Sequence, residues 1–234
     1  MKKTIRLMAL VALVAGLAFA ACGSTSKCGG QDGGGALAAE WVDLGLPSGL
    51  LWAKCNLGAT KPEEYGDYYA WGETSTKEVY LWETYKYCNG DYNQLTKYCN
   101  KSKYGYNGFT DNLTTLQPSD DVATAKLGSG ARMPTAHEWR ELIANTETEW
   151  IQVNGVYGRK LTASNGKSLF LPAAGLRWDS ELDDAGVRGN YCSSSLRADS
   201  PCDTWYFGFS SGGQRMDYYY RLGGRSVRPV RSAR

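Results

Sequence analysis

The chain has 234 residues, 12% aromatic and 21% charged, with a formal net charge of +2. Without the N-terminal cations Lys2, Lys3 and Arg6 the balance becomes −1, so there is no basic field of the kind that holds nucleic acid. No internal repeat and no Pro/Gly/Ser-rich break interrupts residues 40 to 231, which implies a single domain of ordinary size.

Lys2, Lys3 and Arg6 precede an apolar run from Leu7 to Ala20, too short to span a bilayer comfortably, that ends in Phe19-Ala20-Ala21-Cys22. This is the layout of an export signal. Its end resembles a bacterial lipobox, which implies cleavage after residue 21 and lipidation of Cys22; a plain secretory peptide cleaved nearby is the alternative. Residues 22–39 are polar and Gly-rich and read as a flexible tether. An outer-membrane lipoprotein of the cell envelope, exposed at the surface, is therefore expected. The membrane is reached through the lipid and not through a spanning helix.

The domain itself, residues 40–234, is dominated by short aromatic and β-branched segments bounded by Gly, Pro, Asn and Asp. Strands are predicted at Trp41–Leu44, Leu50–Asn56, Tyr68–Trp71, Gly158–Thr162, Ser168–Leu171, Asn190–Ser194, Trp205–Phe209, Met216–Tyr220 and Ser226–Val230. Asn165-Gly166 is a hairpin turn signal. Residues 72–118 form one large insertion rich in Tyr and Asn. One helix is predicted over Val122–Leu127, opened by Ser119-Asp120-Asp121 and closed by Gly128. A second follows the capping box Thr135-Ala-His-Glu138, with Trp139, Leu142 and Ile143 as its apolar stripe.

Candidate catalytic residues are few. His137, the single histidine, sits in that capping box and matches no nucleophile elbow. The pairs Glu63-Glu64, Asp120-Asp121 and Asp183-Asp184 lie at turn or helix-start signals, where capping explains them. Gln117-Pro-Ser-Asp120 is too short a match to a calcium-lectin sugar loop to support a metal. The expectation is no catalytic residue, no metal and no cofactor. Of seven cysteines, Cys55, Cys88, Cys99, Cys192 and Cys202 fall in the domain. Cys88/Cys99 and Cys192/Cys202 are close enough to pair, but spacing does not fix connectivity.

The last 53 residues contain no Lys and no Glu, after twenty-four of the two in the first 181. Tyr, Arg, Asp, Ser and Gly replace them, the composition of a binding loop; a Gly-rich β-meander with an aromatic face is the plainer reading. Tyr218, Tyr219 and Tyr220 alternate faces in a strand, so at most two rings share a surface and one is expected in the core.

Six motifs in order resemble the Fibrobacter-type major paralogous domain, a family of exported bacterial proteins. They are Glu40 to Ala59, Glu64 to Glu73, Arg132-Met-Pro-Thr-Ala-His-Glu-Trp139, Leu171-Pro-Ala-Ala-Gly175, Gly189-Asn-Tyr-Cys-Ser-Ser-Ser195 and Ser226-Val-Arg-Pro-Val230. The family resembles the formylglycine-generating branch of the C-type lectins. The resemblance implies an α+β, C-type-lectin-like domain with two helices, twisted antiparallel sheets and long loops. Its scaffold would be set by Trp41, Trp52, Trp71, Trp139 and Trp205.

The C-terminal segment is similar to the variable proteins of diversity-generating retroelements, whose final residues are rewritten at adenines of Asn codons. Fifteen of the positions holding residues reachable that way are read as the diversified set: Arg197, Asp199, Ser200, Cys202, Asp203, Tyr206, Gly208, Ser210, Gly213, Arg215, Asp217, Tyr218, Tyr219, Tyr220 and Gly223. Trp205, Met216 and Ser226–Val230 would be fixed. The expected ligand contacts are Arg197, Asp199, Asp203, Tyr206, Gly208, Ser210, Arg215, Asp217, Tyr218, Tyr219, Tyr220 and Arg221. They would recognise a surface protein or a glycan, with the protein acting as a monomer and without catalysis. Two alternatives stand: a copper- and oxygen-handling oxidase using Cys192, and a purely structural surface protein. Against the first, Cys192 occupies a usual Trp position, and Cys202, ten residues away, is a distant partner for it.

Overall fold

The computed structural model describes residues 39–128 and 130–233. The export signal, Cys22 and almost all of the tether lie outside the described residues. Twelve strands and two α-helices, of six and nine residues, make up the domain, with four short 3-10 turns. The helices are too small a share for the expected α+β class. The chain is a mostly antiparallel β protein, and the C-type-lectin-like expectation is corrected accordingly. The physical reason is that apolar positions recur at helical spacing in only two places, whereas additional strands lie where the sequence alternates without strong apolarity.

One sheet joins β1 (Trp41–Asp43), β2 (Leu50–Ala53), β12 (Val230–Ser232) and β3 (Ala131–Arg132) in the order β1-β2-β12-β3, so the first and last described strands share one sheet. A meander follows from β4 (Thr146–Val153), β5 (Val156–Ala163) and β6 (Ser168–Pro172). Residues 163 to 168, around Asn165-Gly166, form the predicted hairpin turn, with Gly166 at φ 78°. β7 (Leu176–Trp178) and β8 (Glu181–Asp183) make a small hairpin, and β9 (Arg188–Leu196), β10 (Asp203–Ser210) and β11 (Gly213–Tyr220) form the C-terminal sheet. Tyr68–Trp71 and most of Ser226–Val230 are not strands: each touches a neighbour through one isolated bridge, Tyr69 with Arg225 and Ser226 with Tyr191.

The helices begin and end as their caps dictate. The Asp121 carboxylate accepts from the amides of Ala123 and Thr124 to start α1 (Val122–Leu127), and Gly128 ends it at φ 84°. α2 (Ala136–Ala144) carries the reciprocal Thr135–Glu138 box, with Arg132 clamped onto Glu138 at 2.5 Å. Trp139 and Leu142 of α2 sit between the meander and the C-terminal sheet, packed with Trp52, Leu161, Leu171, Tyr191, Phe207 and Phe209. Trp52, Trp71 and Trp139 are buried as a scaffold requires, while Trp41 and Trp205 are only half-buried. A second core lies under the 72–118 insertion, where Tyr80, Tyr85, Tyr87 and Tyr98 pack against Trp71 and Cys192.

Candidate functional site

The C-terminal sheet presents two different faces. In an antiparallel pair, directly opposite residues point the same way. Phe207 opposes both Tyr191 and Met216, and these side chains turn inward. Phe207 stacks on Trp139 at 5.2 Å and Tyr191 on Phe209 at 5.7 Å. The alternate residues form the outer face. Asn190, Gly208 and Arg215 lie in one cross-strand row, and Arg188, Ser210 and Gly213 in the next. Tyr206 and Asp217 extend it. This outer face is an open groove of about 480 Å³ lined by those residues. Gly208 supplies its bare floor: a Cβ there would come within 3.0 Å of the Tyr206 ring.

Charge is unevenly distributed around the groove. Arg215 holds Asp217 through Nε at 2.8 Å and Nη2 at 2.6 Å. Arg188 reaches Asp184 at 3.4 Å. Both guanidinium side chains remain largely in solvent, 77% and 63% exposed. Two further arginines approach from within. Arg159 of β5 donates to the carbonyls of Ser210, at 2.5 Å, and Gly213, at 3.3 Å, and burial lowers its pKa. Arg225 lies over the Tyr206 ring at 4.8 Å and donates to the Tyr220 carbonyl at 3.0 Å. Its Nε finds no hydrogen-bond partner among the described residues. Burial raises the Tyr206 hydroxyl pKa, against the opposing pull of Arg225.

The structure thus brings Tyr206, Gly208, Ser210, Arg215 and Asp217 together and adds Arg188 and Asn190, which sequence reasoning missed. The register of β9 on β10 places those two opposite Ser210 and Gly208, a relation no local signal reveals. The other expected contacts lie elsewhere. Arg197 stacks on Tyr218 at 3.4 Å and pairs with Asp199 at 2.8 Å and Asp203 at 3.5 Å. Tyr218 also meets Trp205 at 5.4 Å, under the Arg140 guanidinium. Tyr219 and Tyr220 both pack on Trp178, at 5.5 and 6.2 Å, and Tyr220 reaches Trp82 at 5.7 Å. Two rings therefore do share a surface, but none is a core residue: all three tyrosines are exposed.

Arg221 corrects the expectation outright. It is fully buried, and none of its acceptors among the described residues is a carboxylate. It donates to Tyr85 Oη at 2.7 Å and to the carbonyls of Lys97, Tyr98 and Pro201 at 2.9, 3.0 and 3.0 Å. This side chain ties the insertion to the turn before β10 and cannot meet a ligand.

The cysteines also depart from expectation. Cys88, Cys99, Cys192 and Cys202 are free thiols, and Cys55 is disulfide-bonded. Cys192 packs in the core beneath the insertion, Cys202 in a separate cluster with Cys99 and Leu95, so no Cys192–Cys202 bridge forms. Burial pushes the Cys192 thiol up to about 11, the opposite of an activated nucleophile. His137 is exposed on α2. Among the described residues no group of three or more His, Cys, Asp or Glu could hold a metal ion, and no helix is long and apolar enough to cross a membrane. Comparison with protein-family models, with curated proteins and with solved structures finds no match.

Proposed function

We propose that this is an exported, lipid-anchored surface protein that binds a ligand through the outer face of its C-terminal sheet, by recognition and without chemistry. The observation that carries the reading is that Tyr206, Gly208, Ser210, Arg215 and Asp217 line one open groove. They belong to the segment where Lys and Glu disappear. We further propose that this face is diversified, as the resemblance to retroelement variable proteins implies. Thirteen of the fifteen positions named for diversification are exposed or half-buried, Cys202 and Gly223 being the exceptions, whereas the interleaved Phe207, Phe209 and Leu222 are buried. Side chains at such positions can change without disturbing the core.

Sequencing this locus in many isolates tests the reading. Substitutions should concentrate at the thirteen accessible positions, with Phe207, Phe209 and Met216 constant, beside a reverse-transcriptase gene and a template repeat. Variation no greater at 197–224 than at 40–180 would sink the proposal of diversification.

A further inference from the structure

We infer that the groove takes an acidic glycan, a chain bearing carboxylate groups on its sugar rings; this rests on the recognition reading above and names its ligand class. The argument begins with charge. Among the residues that line the groove, Asp217 is the single acid, against Arg188 and Arg215. Behind the lining, Arg159 anchors the turn at Ser210 and Gly213, and Arg225 backs the Tyr206 ring. Neither has a carboxylate partner among the described residues. Even with Asp184 counted for Arg188, four guanidinium groups face two carboxylates, in a chain whose cations and anions otherwise nearly balance. A groove lined mainly by one sign of charge favours an anion. Arg188 and Arg215 keep most of their surface in solvent, so each has donors left for a ligand carboxylate in the paired geometry that guanidinium favours.

The rest of the lining selects a sugar over a peptide. Asn190, Ser210 and Tyr206 offer hydroxyl and amide groups around a glycine floor, which suits a hydroxyl-rich ligand. It lacks the deep apolar pocket that peptide side-chain anchors need. Along the same face of β11, Tyr219 follows Asp217 and lies against Trp178 at 5.5 Å. From Arg215 to Tyr219 is roughly 13 Å of strand. That span places the exposed Tyr219 ring, tilted 48° against Trp178, beyond the charged groove, where the apolar face of a further ring can stack. Trp178, from the β7–β8 hairpin, becomes a contact residue that the C-terminal composition does not announce.

The test is calorimetric titration of the full chain at low salt with three probes: short alginate oligosaccharides, which carry a carboxylate on every ring, neutral malto-oligosaccharides and an oligoglutamate peptide. Saturable binding of alginate alone is expected, weakening as salt rises. Arg188→Gln and Arg215→Gln should each weaken it about tenfold, the loss of one charge-assisted contact. Tyr219→Ser should weaken it too, while Lys103→Gln, an exposed charge on the insertion, should leave it unchanged. The inference is overturned if alginate does not bind, if maltose or glutamate oligomers bind as well, or if neither arginine substitution matters. Such a failure alongside isolates that vary at the accessible positions would leave diversified recognition standing with a different ligand. Binding without that variation would do the reverse.

Discussion

Replacing Arg221 with methionine separates the scaffold from the contact surface. The guanidinium supplies four hydrogen bonds, three of them to main-chain carbonyls of Lys97, Tyr98 and Pro201. Its plane also lies near the rings of Trp71, Tyr85 and Tyr98, at 5.1, 5.1 and 5.8 Å. Methionine fills much of the volume but leaves those carbonyls without a donor, at about 1–3 kcal/mol each when nothing relaxes. Removing a buried charge returns part of that desolvation cost, so a net loss of about 3–5 kcal/mol is expected. In a domain of this size each kcal/mol lowers Tm by about 2–4 °C, which gives a drop on the order of 10 °C. Arg221→Lys keeps the charge but has three donors on one nitrogen instead of a fork, and should fall between. Thermal unfolding followed by circular dichroism measures both, with ligand affinity measured well below the transition. A variant with wild-type Tm but lost affinity would refute the reasoning and return Arg221 to the contact surface.

Asp120 is the corresponding anchor on the insertion side. Its carboxylate accepts from Tyr98 and Lys97, each at 2.6 Å, and from Tyr87 at 2.5 Å. Burial works to raise its pKa, but the hydrogen bonds from Lys97, Tyr87 and Tyr98 outweigh it and the net shift is downward. A carboxyl depressed on folding contributes stability above its unfolded pKa, lost as pH falls through the folded value. Asp120→Asn should therefore cost about 2–4 kcal/mol at pH 7, and the gap from wild type should shrink below about pH 4; denaturant titrations across that range check it. The thiols give a third outcome. With Cys192 pushed up to about 11 and Cys202 to about 12, and with Cys99 buried, these three should resist iodoacetamide in the folded chain at pH 8, where about one Cys192 in a thousand is thiolate. Mass spectrometry of the native protein showing fast alkylation of Cys192 would revive the oxidase alternative.

What the sequence made legible was local. Asp121 and Gly128 bound α1, Thr135 and Glu138 start α2, and Asn165-Gly166 set the β5–β6 turn, because each acts through hydrogen bonds within a few residues. β4 was missed because Thr146-Glu-Thr-Glu alternates polar with polar: the faces differ in burial, but residue type does not mark the difference. Its recovery, with β7 and β8, is what moves the domain from α+β to mostly β. Ser226–Val230 read as one strand, yet it passes from β9, where Ser226 bridges Tyr191, to β2, where Val230 opposes Trp52. Pairing partners 35 and 178 residues away decided that. For the candidate site, alternation along β10 and β11 sets Tyr206, Gly208, Ser210, Arg215 and Asp217 on one face, whereas Arg188, Asn190 and Trp178 enter only through register and hairpin packing.

The arginines carry the remaining lesson, since sequence treats them alike and the fold does not. Arg215 and Arg188 stand in solvent, while Arg221, Arg225 and Arg228 are buried within eight residues of one another. Arg228 donates to the carbonyls of Ala53, Lys54 and Phe170 and to Asn56 Oδ1, and its pKa falls to about 10, chiefly through burial. The Ala53 and Lys54 carbonyls sit where β2 ends and that of Phe170 lies in β6, and a buried carbonyl without a donor is costly. A guanidinium, with five donors on a long stem, can satisfy several such groups from different segments at once. Arg221 and Arg228 thus fasten the insertion, the end of β2, the middle of β6 and the turn before β10 from inside the domain. The ties made by Arg221 and Arg228 do not depend on what the outer face of β10 and β11 displays, so they would hold the sheet in place if the proposed contact residues change.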